Sequence, residues 1–206
     1  MNSRWLIIIG GLLAAVAGVF AFMNMPQEQP EALVYQPPRA LAPFELESTA
    51  ATTKIDSEAL KGQWTLLFTG YTYCPDICPT TLSSLKTILP QLQKQAEKPV
   101  KVWMISVDPQ RDSLDRLKEY TGYFGEQFIG VRAEHPQLFP FVRDLGLMYS
   151  VPEEGEENYL VNHSAAIILV NPDGKRLAIF NATHEPGAIP TVDMEQLVRD
   201  FAILAG

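Results

Sequence analysis

The stretch GYTYCPDICPTTL, residues 70–82, holds both cysteines of the 206-residue chain, and each stands directly before a proline (Cys74–Pro75 and Cys78–Pro79). A proline ring crowds the preceding residue out of the α region, so CPDIC is predicted to be a loop, not the interior of a helix. Upstream, QWTLLFTGY (63–71) is a continuous apolar, β-prone run and reads as a buried strand. Downstream, Leu82, Leu85, Leu89 and Leu92 recur at helical spacing, predicting a helix from Pro79 to about Ala96 with a kink at Pro90. Pro79 suits the first helical position. That puts Cys78 at or beside the N-cap, where unpaired backbone N–H groups and the helix dipole favour a thiolate.

The remainder of the chain extends this strand–loop–helix unit. VKVWMISVD (100–108) and FIGVR (128–132) are further strands. Between them Asp112 or Ser113 can cap a helix carrying Leu114, Leu117, Tyr120 and Phe124. HPQLFPFVRDLG is a short helix closed by Gly146. AAIILV and KRLAIFN flank NPDG, which has the turn chemistry of a hairpin, and TVDMEQLVRDFAIL is a closing amphipathic helix. Strands alternating with helices and then an antiparallel pair predict an α/β sheet with helices on both faces. A cysteine pair between the first main strand and its helix is the thioredoxin-like layout.

Ahead of this domain, Arg4 precedes an uncharged apolar run from Trp5 to Met23. The run approaches the ~20 residues that cross a bilayer as a helix, and the basic side before it favours an N-inside orientation with the rest exported. AVA at 15–17 resembles a signal-peptidase site, but the run continues past it, so residues 1–23 read as an uncleaved anchor. Residues 24–43, NMPQEQPEALVYQPPRALAP, are proline-rich and read as an extended tether, leaving 44–206 as the folded domain. The net charge of −8 argues against nucleic acid, which needs a basic face.

Three chemistries fit two cysteines at this spacing. A structural disulfide closing so short a loop removes little chain entropy and would stabilise only modestly. A redox pair usually takes the shorter CxxC spacing. Two soft thiolates on a loop suit a soft metal, but need another ligand. Spacing leaves the redox and metal readings open. Of the histidines, His135 sits in a loop entering a helix and His184 in a Pro/Gly loop, both surface positions. His163, in YLVNHSAAIILV, lies at the mouth of a buried strand, where a thioredoxin-like sheet would gather a site.

GYTYCPDICPTTL, SVDPQRDSLDRL and YLVNHSAAIILVNPDG, in that order, resemble the Sco/SenC copper proteins that help assemble cytochrome c oxidase. The resemblance covers roughly residues 43–204, and an anchor and tether are also typical of the family. It implies a thioredoxin-like fold and one copper per chain, as Cu(I) or Cu(II), held by residues matching Cys74, Cys78 and His163. It further implies delivery of copper to the CuA centre of oxidase subunit II, or reduction of the cysteines that will hold it. Other copper chaperones or thiol reductases would be further partners, with the domain on the periplasmic side of a bacterial inner membrane. Where thioredoxin-like oxidoreductases carry a cis-proline, this chain has Asn162–His163–Ser164, which favours metal binding. The family usually has aspartate before the histidine, so Asn162 is expected to alter how the imidazole is tuned. Asp76, between the cysteines, could tune their thiolates or meet a partner. Asp108, Arg111 and Asp112 read as an ion pair and helix cap, while Tyr71 and Tyr73 wall the site. ESTAATTK lacks a glycine common in the family's first turn. The rival function is a general thiol–disulfide oxidoreductase working through Cys74 and Cys78.

Overall fold

The computed structural model describes residues 3–23, 29–150, 159–183, 187 and 189–206. In chain order these form α1 (Ser3–Met23), β1 (Leu33–Ala40), β2 (Glu47–Ser48), a 3-10 turn (Ser57–Leu60), β3 (Trp64–Gly70) and α2 (Ile77–Gln95). There follow β4 (Val100–Ser106), α3 (Leu114–Gly122), β5 (Phe128–Arg132), α4 (His135–Asp144), β6 (Ile167–Val170), β7 (Lys175–Phe180) and α5 (Met194–Ala205). The strands make one seven-stranded sheet in the order β1-β7-β6-β3-β4-β5-β2. β3, β4 and β5 are parallel, and the β6–β7 hairpin joins β3 antiparallel. This is the mixed α/β, thioredoxin-like arrangement the sequence predicts, with β3 central and the cysteine loop at its C-terminal end.

Successive side chains of a strand point to opposite faces, and β3 shows what that does here. Leu66 and Phe68 enter a core with Leu82, Leu85, Leu89 and Leu92 of α2, Leu117 of α3, and Leu197 and Phe201 of α5. Leu67, and Tyr71 just beyond the strand, enter a second core with Trp103, Ile105, Leu138, Phe141, Cys74 and Cys78. The stripe of leucines holds α2 on the first face, while its first turn reaches over the sheet's end into the second. Burying each such leucine is worth about 2 kcal/mol, so the cysteine-bearing end of α2 is fixed by the helix behind it.

Most predicted elements appear where the patterns put them. Ser113 caps α3 by accepting from Arg116 N, and Asp193 caps α5 by accepting from Glu195 and Gln196. The turn in NPDG is closed by Asn171, whose side chain accepts from Asp173 and Lys175, with Gly174 at φ +75°. ESTAATTK is a hairpin turn, with Leu46 and Ile55 paired across it.

Two expectations are corrected. The segment expected to be a tether contains β1, the edge strand, paired with β7 at Leu33↔Ile179 and Val34↔Ala178 and again at Arg39↔Arg176 and Ala40↔Lys175. Its prolines, Pro37 and Pro38, fall at the break in register, where no ladder N–H is required. Edge strands tolerate proline for that reason, and proline content alone therefore misread this segment. The folded domain accordingly begins ahead of residue 44. Second, α2 starts at Ile77, two residues before the expected first turn, so Cys78 lies inside the helix rather than at its cap. At the other end, α1 is helical over the apolar run. Among the described residues no helix is long and apolar enough to cross a membrane.

Candidate metal centre

The site begins where β3 ends. At Gly70 a Cβ would stand 3.0 Å from Cys78 Sγ and 3.3 Å from the Phe68 ring, so the missing side chain is the room the buried sulfur occupies. The chain then turns: Cys74 N–H donates to Tyr71 O at 3.2 Å. Thr72 donates to the buried Asp112 carboxylate through its N–H at 3.1 Å and its hydroxyl at 2.6 Å, and Ser106 adds a second hydroxyl at 2.6 Å. Burial pushes the Asp112 carboxyl up, while these donors to its charged form pull the other way. Asp112 thus pins the cysteine loop to the end of β4. The cap of α3 expected of Asp112 or Ser113 is made by Ser113.

The first turn of α2 has N–H groups with no partner in the helix, and the N–H of Cys78 donates to Cys74 Sγ at 3.4 Å. Cys74 is 8% exposed and Cys78 1%. The Cys74 thiol is pushed down to about 4 chiefly by the side-chain hydrogen bond from Cys78, with the backbone N–H groups of Cys78 and Asp76 also favouring the thiolate. The Cys78 thiol is pushed up by the same shared hydrogen bond and by burial. The pair therefore releases one proton readily and holds the other between the sulfurs, as two interacting sites do.

His163 arrives from a separate segment, just ahead of β6, the strand paired with β3. Its segment, bordering β6, pairs with residues 148–150: Ser150 N–H donates to Asn162 O at 2.8 Å and Ser164 N–H to Met148 O at 2.9 Å. The Tyr71 hydroxyl accepts from Val161 N at 3.3 Å. Tyr159 donates its hydroxyl to Asp108 at 2.7 Å, and Arg111 bridges them, with Nε 2.5 Å from Asp108 Oδ2, a terminal N–H on Tyr159 O at 3.1 Å, and its guanidinium 3.6 Å from the Tyr159 ring. The His163 ring stands edge-on to Tyr71, 5.9 Å between centroids. Its Nε2 lies 3.6 Å from Cys78 Sγ, while Nδ1 lies 3.1 Å from Ser164 O.

The ligand atoms of Cys74, Cys78 and His163 lie within 4.8 Å of one another. A hollow of about 430 Å3 opens over them, walled by Tyr71, Ile77, Leu160 and Ile189. Two sulfurs and one imidazole nitrogen form a soft donor set that suits Cu(I) and lacks the oxygen ligands of hard cations. A monovalent soft cation would take the place of the proton the two sulfurs share, which is why this set fits copper.

Other residues singled out from sequence fall at various distances from this cluster. Asp76 is exposed and is the N-cap residue of α2, yet its side chain makes no cap bond, so it acts on Cys74 through its backbone N–H. Asn162 is exposed and paired with Ser150 through its backbone; the imidazole is met instead by Ser164 and, at 3.4 Å, by Thr69 Oγ1. Tyr71 walls the site, and Tyr73 lies outside it between the guanidinium groups of Arg111 and Arg116, at 4.8 and 4.1 Å. Asp108 and Arg111 form the expected ion pair, but it reaches across to Tyr159. His135 bonds Tyr149 at 2.9 Å, and His184 lies outside the described residues. Thr69, Gly70, Tyr159 and Ser164 went unassigned in the sequence. Only Thr69 carried a trace: with Thr65 it is one of two polar side chains on the Leu67 face of a buried strand.

The sequence profile of the family described as SCO1/SenC matches residues 34–198. A Stutzerimonas stutzeri protein named for copper binding is 42% identical over 118 residues, covering 57% of this chain and 58% of its own length. The mitochondrial SCO1 homolog of Homo sapiens is 30% identical over 149 residues, 71% of this chain and 49% of that protein. The chain thus spans about half the length of the curated relatives it matches. Among solved structures, Arabidopsis thaliana ScoI with copper bound superimposes with a TM-score of 0.68 at 28% identity, covering 79% of this chain and 95% of that one. Bradyrhizobium japonicum ScoI with copper bound gives 0.62 at 30% identity, covering 79% and 97%.

Proposed function

This chain belongs to the SCO1/SenC family, and from that premise we propose that it binds one copper through Cys74, Cys78 and His163. In this reading it serves the CuA centre of cytochrome c oxidase subunit II during assembly, by delivering copper or by reducing the cysteines that receive it. The observation that carries the reading is the convergence of two sulfurs and an imidazole nitrogen within 4.8 Å from two separate parts of the chain. The names of its copper-bound neighbours support it. Copper leaves by ligand exchange: an acceptor cysteine displaces His163 or Cys74, the ligands nearer the hollow, before the buried Cys78. In this reading the apolar N-terminal segment, residues 1–23, serves as the anchor, with the domain on the periplasmic side of a bacterial inner membrane. Other copper chaperones or thiol reductases would load it and keep its sulfurs reduced.

The depressed Cys74 thiol favours a second activity at the same place. Its thiolate would attack one sulfur of a partner's disulfide, displacing the other as a thiolate, and Cys78 would then resolve the mixed disulfide. X-ray absorption of copper on the reduced full chain in detergent, with His163→Ala as control, tests the first reading. The expected result is one copper per chain on two sulfurs and a nitrogen, with the nitrogen lost and binding sharply weakened in the variant. No stoichiometric copper, together with rapid disulfide exchange that survives His163→Ala, would assign the site to thiol chemistry alone.

A further inference from the structure

We infer that Thr69 is the positioning residue of His163: its hydroxyl, with the Ser164 carbonyl, holds the imidazole as the Nδ1–H tautomer and aims the Nε2 lone pair at the sulfurs. The inference rests on the copper reading above for its purpose, but not for its geometry. Thr69 is 1% exposed, on the central strand. Its hydroxyl donates to Ser164 O at 2.8 Å, and its oxygen lies 3.4 Å from His163 Nδ1. Nδ1 is also 3.1 Å from that same carbonyl.

Counting protons decides the tautomer. A carbonyl oxygen accepts only, so the contact between Nδ1 and Ser164 O is a hydrogen bond only when Nδ1 carries the proton. The single hydroxyl hydrogen of Thr69 is already on Ser164 O, which leaves its oxygen as a second acceptor for Nδ1–H. Both neighbours of Nδ1 are therefore acceptors. Nε2 is left unprotonated, 3.6 Å from Cys78 Sγ, as a ligand must be. Without Thr69 the Ser164 carbonyl loses the donor that ties it to β3, and the ring loses one of its two acceptors. The orienting task expected of residue 162 is thus performed from inside the sheet, while Asn162 lies exposed at the rim of the hollow with its backbone bonded to Ser150.

The test is the 15N spectrum of histidine-labelled, metal-free, reduced full chain at a pH where imidazole is neutral. Wild type is expected to show one tautomer, with Nδ1 pyrrole-like and Nε2 pyridine-like. Thr69→Val, or Thr69→Ala should the first not fold, is expected to lose that single state and show both tautomers. Thr69→Ser is expected to restore it, and Asn162→Ala to leave it unchanged. Outer-shell partners of metal-binding histidines are typically worth 10–100-fold in affinity, so Cu(I) binding should weaken about tenfold in Thr69→Val and recover in Thr69→Ser. A wild-type spectrum with the proton on Nε2, or an unchanged single tautomer in Thr69→Val, would overturn the inference whatever copper does. Wild-type Nδ1–H without any copper binding would instead overturn the copper reading and leave Thr69 its role.

Discussion

The two halves of the site are held by different means. Cys74 and Cys78 belong to one continuous strand–loop–helix unit, set by a buried strand behind them, a leucine-striped helix ahead, and Asp112 beneath the loop. His163 belongs to a segment outside regular strand, held by backbone pairing with residues 148–150 and by single side chains sent from elsewhere: Tyr71, Thr69, Asp108 and Arg111. The cysteine half rests chiefly on burial of a continuous unit, with Asp112 beneath it, whereas the histidine half depends more on a few directional hydrogen bonds beside its buried Tyr159 and Val161. Burial is spread over many contacts and resists single changes, whereas a directional bond is lost whole. Such an asymmetry suits a protein that must release a metal, because the ligand on the weaker mount can leave while the sulfurs stay put.

The widest contrast should appear in thiol reactivity. The nucleophile is the thiolate, and for an ordinary cysteine near 8.5 the alkylation rate rises roughly 500-fold between about pH 5.5 and 8.5. Cys74, pushed down to about 4, has its thiolate formed throughout that range and loses it only as pH falls through about 4. Its alkylation should therefore vary by less than about twofold over the same span, as followed by mass spectrometry of the reduced, metal-free protein. A rate that climbs tenfold per unit toward pH 8 would show that the cysteine half does not stabilise an anion.

Next in size is removal of the anchor beneath the loop. Asp112→Ala strands buried donors of Thr72 and Ser106, each costing ~1–3 kcal/mol when unpaired. Relief of the buried carboxylate's own desolvation offsets part of this. Urea unfolding should show a net loss of about 3 kcal/mol, against little change for Asp115→Ala on the exposed side of α3. Equal effects would mean the loop is not pinned from below. Gly70→Ala strikes the same half from above. Its Cβ would stand 3.0 Å from the buried Cys78 Sγ, so overpacking should cost about 1–2 kcal/mol and weaken copper binding by displacing a sulfur. Full affinity in Gly70→Ala would show that the Cys78 sulfur has slack.

The same contrast explains which parts of the site were legible in the sequence. The cysteine half is local: apolar run, X-Pro pairs and leucine spacing all lie within residues 63–96, and together they located the loop, with the helix start two residues off. That error came from reading Pro79 as the first helical residue, although proline is also tolerated two positions later in a first turn, where the N–H is still unpaired. The histidine half is non-local. Nothing near His163 in sequence names Thr69, 94 residues away, or Tyr71 and Asp108; strand register brings them together. β1 was misread for the same reason, since its prolines become acceptable because, among the described residues, no further strand lies outside it. Local pattern singled out His163 at a strand mouth and resemblance made it a ligand, but resemblance also pointed to residue 162 for the orienting role that the geometry gives to Thr69 and Ser164.

The smallest expected effect probes the weaker mount alone. Tyr159→Phe removes one hydroxyl, the donor to Asp108, and leaves the ring under the Arg111 guanidinium and the Asp108–Arg111 ion pair in place. Asp108 keeps a charged partner, so stability should fall by only about 1 kcal/mol, and Cys74 alkylation should not change. What should change is the freedom of the segment leading to His163, since Tyr159 is its first described anchor. A several-fold weakening of copper binding at unaltered cysteine reactivity is therefore expected, measured by competition with a Cu(I) chelator. If Tyr159→Phe altered both properties equally, the two halves would be mechanically one. In that case, release of the histidine could not precede release of the sulfurs.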